Sequence, residues 1–181
     1  DPFDYDVTIV GGGLIGASLA CALSGQGLRI ALIESRPFKL SNHPSYDDRC
    51  LALAYGTRRI FEGLGLWSEL TATPILTIHI SDEKQFGAVR INHQQQGVKA
   101  LGYVIEARVL GAQLMARLAQ QSDIDFFCPA DLKTFSLHSD RAQIEIQIES
   151  QQTKSFSSAL LVAADGAHSQ IRTQLGIDNL Q

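Results

Sequence analysis

The amino-acid sequence predicts an α/β fold: a Rossmann-like domain in three layers on a parallel sheet, with mixed β-strands inserted into it. Three observations predict it. An apolar run, a glycine-rich turn, a stretch of helix formers and a second apolar run follow one another between Val7 and Glu34. Alternating, strand-like segments fill the middle of the chain. An apolar strand then returns at residues 159–164 and runs into Asp165 and Gly166. A βαβ opening, an excursion and a return to an apolar strand describe a core sheet with an insertion.

Val7, Thr8, Ile9 and Val10 are β-branched, the composition of a parallel strand buried on both faces. Residues 17–23 are small residues and good helix formers, and Gly25 and Gly27 supply the stop. Residues 29–33 form the second apolar run, closed by Glu34. Residues 36–56, with Pro37, Asn42, Pro44 and the Asp47–Asp48 pair, read as loop. Residues 57–70 read as an amphipathic helix carrying Ile60, Phe61, Leu64, Leu66 and Trp67, broken near Gly63 and Gly65. Strands are expected at 77–81, 87–92 and 103–106, a helix at 110–120, and strands at 124–128, 133–138 and 143–149. The last two make an antiparallel ribbon around Ser139 and Asp140. The expected division is a core domain at 1–74 and 101–181, interrupted by inserted strands at 75–100.

Hydrophobic residues make up 45% and charged residues 19% of the 181, an ordinary balance for a chain that buries a sizeable core. A net charge of −4 argues against nucleic acid as a partner, which needs a basic face. Cys21, Cys50 and Cys128 lie far apart and form no metal-binding pair, so reduced thiols and no metal are expected. Residues 1–6 are acidic and polar, unlike a signal peptide, and no apolar stretch approaches the ~18 residues of a membrane span. A cytoplasmic location follows as the expectation.

The chemistry starts in the glycine turn. Gly11, Gly13 and Gly16 fit G-x-G-x-x-G between a predicted strand and a predicted helix, and Glu34 stands at the end of the second strand. Gly11 permits the tight turn, a side chain at 13 would collide with a pyrophosphate, and Gly16 lets the helix approach the strand. The helix N-terminus offers free N–H groups and a partial positive charge to phosphates, and Glu34 can accept from a ribose diol. The binding residues expected of this unit are Gly11, Gly13, Leu14, Ile15, Gly16, Glu34, Ser35 and Arg36. Both NAD and FAD carry an ADP half, so this unit alone does not choose between them.

Three further stretches carry a resemblance. Residues 160–172 hold an apolar strand, Asp165-Gly166, then Ser169 and Arg172 at helical spacing. Residues 47–57 contain a D-x-R-x-x-A-L pattern around Arg49. Residues 65–67, 78–82 (Ile-His-Ile-Ser-Asp) and 102–106 add shorter matches. Together they resemble the class A FAD-dependent aromatic monooxygenases of the para-hydroxybenzoate hydroxylase fold, in the ubiquinone-biosynthesis branch, over essentially the whole chain. The resemblance implies a Rossmann-like FAD-binding domain, and assigns residues 75–100 to part of a substrate domain. It places Asp165 and Gly166 near the pyrophosphate and ribityl parts of FAD, Arg49 near its pyrophosphate or ring, and Leu132 where a backbone group meets adenine. Where many members lead a helix with a flavin-facing arginine, this chain has Ala107; that role falls to Glu106 or to Arg108.

The activity so implied is hydroxylation of a prenylated phenol, with NAD(P)H as reductant of FAD and O2 as oxidant. No catalytic acid or base need come from the protein for oxygen transfer, so His79, His93, His138 and His168 are given no catalytic role. The family's further motif, G-D-A-A-H-x-x-x-P-x-x-G-Q-G, does not occur here, so the resemblance implies an N-terminal portion of a longer protein. A lipid-soluble substrate implies work at the periphery of the inner membrane or within a biosynthetic complex.

Overall fold

A computed structural model describes residues 2–37, 49–83, 86–148 and 152–177. Its core is a parallel sheet in the order β8 (Ile124–Phe127), β2 (Ile30–Ile33), β1 (Tyr5–Val10) and β11 (Gln152–Ala163), continued by β10 (Ala142–Ile148) and β9 (Ala130–Leu137). β1 (Tyr5–Val10) and β2 (Ile30–Ile33) flank α1 (Leu14–Leu23) in sequence, the predicted βαβ unit. β8 (Ile124–Phe127) lies parallel to β2, and the second half of β11 (Gln152–Ala163) lies parallel to β1.

Alternation along β1 and β2 feeds two cores. Val7, Ile9, Ile30 and Leu32 point to one side and pack with Ala17, Ala20 and Cys21 of α1 and Leu110, Leu114 and Leu118 of α3 (Ala107–Leu118). Val10, Ala31 and Ile33 point to the other and pack with Ile144 and Ile146 of β10 (Ala142–Ile148) and Phe156 of β11. The expected three layers are therefore helices, parallel sheet and an antiparallel ribbon. That ribbon comprises β9 (Ala130–Leu137), β10 and the first half of β11. Ser158 is the crossover, paired with Ala142 on one edge and with Tyr5 on the other.

Polar contacts fix the far end of the sheet. Gly25, at φ +77°, donates its N–H to Asp123 Oδ2 at 2.7 Å, and Arg29 pairs with Asp6 at 3.1 Å. These partners hold both carboxyl groups below the usual aspartate range.

Three expectations needed correction. Residues 36–56 are not all loop: β3 (Cys50–Ala54) pairs antiparallel with β7 (Gly102–Glu106), which also pairs with β4 (Thr73–Ile75). The alternation there is Leu51 and Leu53 inward against Cys50, Ala52 and Ala54 outward, and small alanines disguised it. The 57–70 helix splits into α2 (Tyr55–Gly63) and a short 3-10 turn at Trp67–Glu69, with Gly65 at φ +71° between them. β11 starts seven residues before the expected 159 because its first half, from Gln152, is polar and pairs only along the ribbon. The expected Asp47–Asp48 pair and Glu149 fall outside the described residues.

Arg58 holds α2 on this smaller sheet. Its guanidinium lies 5.7 Å from the Trp67 ring centroid and 5.2 Å from that of Tyr103, and donates to Tyr103 Oη at 2.6 Å. The inserted strands β5 (Thr77–Ser81) and β6 (Ala88–Asn92) form a separate two-stranded ribbon.

Candidate cofactor site

The carboxyl ends of β2, β1 and β11 lie side by side, and a cleft of about 370 Å3 opens over them. Open α/β sheets place their ligands at this edge. Four stretches line it: residues 10–13 without Gly12, 33–36, 130–132, and 164–170 without Ser169.

Two of the motif glycines are demanded by the chain itself. Gly11 has φ +107°, and a Cβ there would stand 2.3 Å from the Ala164 carbonyl oxygen. A Cβ on Gly16 would stand 1.9 Å from the Gly11 carbonyl oxygen, so only glycine lets α1 close on the turn. Gly13 differs. Its φ of −64° suits any residue, and it lines the cleft. Its backbone makes no demand for glycine.

Gly13 caps α1 without a side-chain hydrogen bond, and the first turn holds no acid. The helix's own first turn therefore supplies no carboxylate to its positive end. Ile15 is exposed and Leu14 half-buried in that first turn, and neither lines the cleft.

Glu34 is buried and both of its oxygens hold backbone: Oε2 accepts from Gly12 N at 2.7 Å, and Oε1 from Arg36 N at 2.8 Å. It thereby ties the glycine turn to the loop after β2. A Cβ on Gly12 would meet Glu34 Cβ at 2.8 Å, so Gly12 is a third required glycine, at a position the motif leaves free.

Asp165 stands opposite. Its Oδ2 accepts from Gln170 N at 2.9 Å, at the start of α4 (Gln170–Gln174), where Ser169 Oγ accepts from Arg172 N at 3.0 Å. Its Oδ1 is buried and has no hydrogen-bond partner among the described residues. A buried carboxylate oxygen needs a donor, and a flavin nucleotide carries hydroxyl groups able to donate. Gly166, at φ +84°, turns the chain beside it.

The structure thus gathers Gly11, Gly13, Glu34, Ser35, Arg36, Leu132, Asp165 and Gly166 around one cleft. Arg49 and Arg108 do not line it. They meet at another place, where the Arg49 carbonyl accepts from Ala107 N at 2.9 Å and Arg108 pairs with Glu106 at 2.6 Å. Glu106 and Arg108 therefore act on each other at the head of α3. His168, named from the sequence without a role, also lines the cleft, and so do Ala130 and Asp131, which were not singled out. Ala130 enters because its N–H donates to the Glu34 carbonyl at 2.8 Å. The available signal was positional: residues after a strand that neighbours β2 reach the same sheet edge. His93 and His138 accept or donate locally, to Val98 O and Ser136 Oγ. No group of three metal-ligating side chains occurs among the described residues.

Comparison with known proteins bears on this cleft. The sequence profile of the FAD binding domain matches residues 4–181. Ubiquinone hydroxylase UbiL of Rhodospirillum rubrum is 33% identical over 95% of this chain and 39% of its own length. Ubiquinone hydroxylase UbiM of Neisseria meningitidis is 28% identical over 96% of this chain and 38% of its own. The chain therefore spans about two-fifths of the length of these curated relatives. The OxyS anhydrotetracycline hydroxylase from Streptomyces rimosus superposes with TM-score 0.76 at 20% identity, over 96% of this chain and 34% of that one. Aklavinone-11 hydroxylase, solved with FAD and aklavinone, superposes with TM-score 0.72 at 22% identity, over 97% and 35%. With a profile match over nearly its whole length, the chain belongs to the FAD binding domain family.

Proposed function

We propose that this chain supplies the ADP-binding part of a flavin monooxygenase that hydroxylates a prenylated phenol in ubiquinone biosynthesis, in the manner of a 2-octaprenyl-6-methoxyphenol hydroxylase. The observation that carries the reading is the cleft itself, lined by Glu34, Gly13 and Asp165 at the ends of strands on either side of β1. The ubiquinone hydroxylases among its relatives support a substrate of that pathway. In the overall reaction NAD(P)H gives two electrons, one atom of O2 enters the ring as a hydroxyl, and the other leaves as water. The bound flavin supplies the redox chemistry. The residues of this chain hold and orient it: α1 and the glycine turn take the diphosphate, Glu34 the ribose and Asp165 the hydroxyl-bearing linker. Arg49 and the Glu106–Arg108 pair stand for the ring side. A prenylated substrate favours work at the cytoplasmic periphery of the inner membrane, with the enzyme peripheral to the lipid or joined to a biosynthetic assembly.

Two measurements test this. Gly13→Val should abolish flavin binding, followed by the visible flavin band on gel filtration, and leave the circular dichroism spectrum unchanged. Flavin retained by that variant would refute the diphosphate assignment. The full-length protein, given NAD(P)H, a prenylphenol and isotope-labelled O2, should incorporate one labelled atom per product. Reduction of the substrate without incorporation would overturn the hydroxylase reading in favour of a dehydrogenase or prenyl reductase.

A further inference from the structure

Glu34, Ser35 and Arg36, the loop after β2, line the cleft. Residues at and after the end of β8 hold that loop. Backbone supplies two of the ties: Glu34 N donates to the Phe127 carbonyl at 2.9 Å, and Ala130 N donates to the Glu34 carbonyl at 2.8 Å. A side chain supplies a third: Cys128 Sγ donates to the Arg36 carbonyl at 3.2 Å. The thiol is half-buried and does not itself line the cleft.

The thiol bond reaches the far end of the loop. Arg36 N donates to Glu34 Oε1 at 2.8 Å, so Arg36 is held at its N–H by Glu34 and at its carbonyl by Cys128. Removing the sulfur donor loosens the Arg36 peptide, and with it one of the two backbone partners of the Glu34 carboxylate. The other partner is Gly12 N in the glycine turn. Cys128 therefore acts on the cleft through Arg36 and Glu34. An S–H group is a weak donor, so the effect on a ligand is modest. A separate observation marks the cleft as a binding place: Asp165, which also lines it, keeps a buried Oδ1 with no hydrogen-bond partner among the described residues.

We propose that Cys128 is a positioning residue for the cofactor, its thiol fixing the Arg36 carbonyl and through it the Glu34 wall. This rests on the reading of the cleft as an ADP site. The test is FAD titration of the full-length protein, freed of flavin, as wild type, Cys128→Ser and Cys128→Val. Serine keeps a donor and gives up volume; valine keeps a similar volume and gives up the donor. Cys128→Ser should bind FAD within about twofold of wild type. Cys128→Val should bind about threefold to tenfold more weakly, the range for one neutral hydrogen bond. In urea, flavin-free Cys128→Val should unfold no earlier than Cys128→Ser, which sets the deficit in binding and not in folding. Equal FAD affinity in the two variants, tighter binding by Cys128→Val, or earlier unfolding of Cys128→Val overturns the role of Cys128 while leaving the ADP site intact. No binding of FAD by wild type would instead sink the reading of the cleft.

Discussion

The six-stranded sheet and the β5–β6 ribbon are written in the same apolar strand alphabet and end in opposite states. In the sheet, Ile9, Ile30, Leu32, Ile144 and Ile146 are all 0% exposed. In the ribbon, Ile78, Ile80 and Val89 are 36%, 53% and 58% exposed, although Ile78 faces Ile91 and Ile80 faces Val89 across the strands. An alternating pattern thus specifies that a strand has an apolar face. It does not say what covers that face. In the sheet the cover comes from α1 and α3 on one side and β10 on the other. The ribbon's apolar face stays partly in water, and a two-stranded ribbon gains little stability by itself.

If that contrast is real, the largest effect belongs at the junction of sheet and helix. Gly16→Val would push a side chain into the Gly11 carbonyl oxygen, 1.9 Å from where its Cβ must sit. The obstacle is backbone held by the Gly11 N–H to Ile33 O bond at 2.8 Å, and cannot swing aside as a side chain can. Overpacking of a rigid core costs about 1–3 kcal/mol and more where backbone must move. Urea unfolding should show a loss of at least about 3 kcal/mol or no folded protein at all. A variant within about 1 kcal/mol of wild type would mean that α1 can stand off the sheet.

A smaller effect is expected at Glu34. Glu34→Ala removes the acceptor of the Gly12 and Arg36 amides together, so the turn and the loop after β2 lose their tie. The loss in flavin or ADP affinity should be about 1–3 kcal/mol, measured by titration, the usual range for a charged hydrogen-bond partner. Glu34→Gln keeps one acceptor oxygen and should recover part of it. Equal affinity in all three proteins would remove Glu34 from the ligand wall.

The same contrast explains what the sequence disclosed. The βαβ unit was legible because its constraints are local: Gly11, Gly16 and Glu34 meet within one turn of chain and one strand pairing. Asp165-Gly166 was legible as a turn after an apolar strand. β3 was not, because Ala52 and Ala54 give no contrast with Leu51 and Leu53 outside the sheet that orients them. The polar half of β11 was not, because its pairing partner β10 supplies the regularity that its own residues lack. Asp131 was not, because only the lateral order β8-β2-β1 brings it to the cleft. Arg49 and Arg108, expected near FAD, lie together at the head of α3 and outside the cleft.

The smallest expected effect lies in the ribbon, and it decides the comparison. Ile80→Thr keeps β-branching, and so strand propensity, while replacing a methyl-bearing arm by a hydroxyl. On a face that stays in water the change removes little buried area, and stability should move by no more than about 0.5 kcal/mol in urea unfolding. The same substitution at Ile30, which is 0% exposed between two strands, should cost several times as much, because it buries a hydroxyl without a partner in the core. If Ile80→Thr instead cost more than about 1 kcal/mol, the ribbon's apolar face would be covered in solution. Sedimentation across a concentration series would then separate a second copy of the chain, where the loss grows with concentration, from cover within one chain, where it does not.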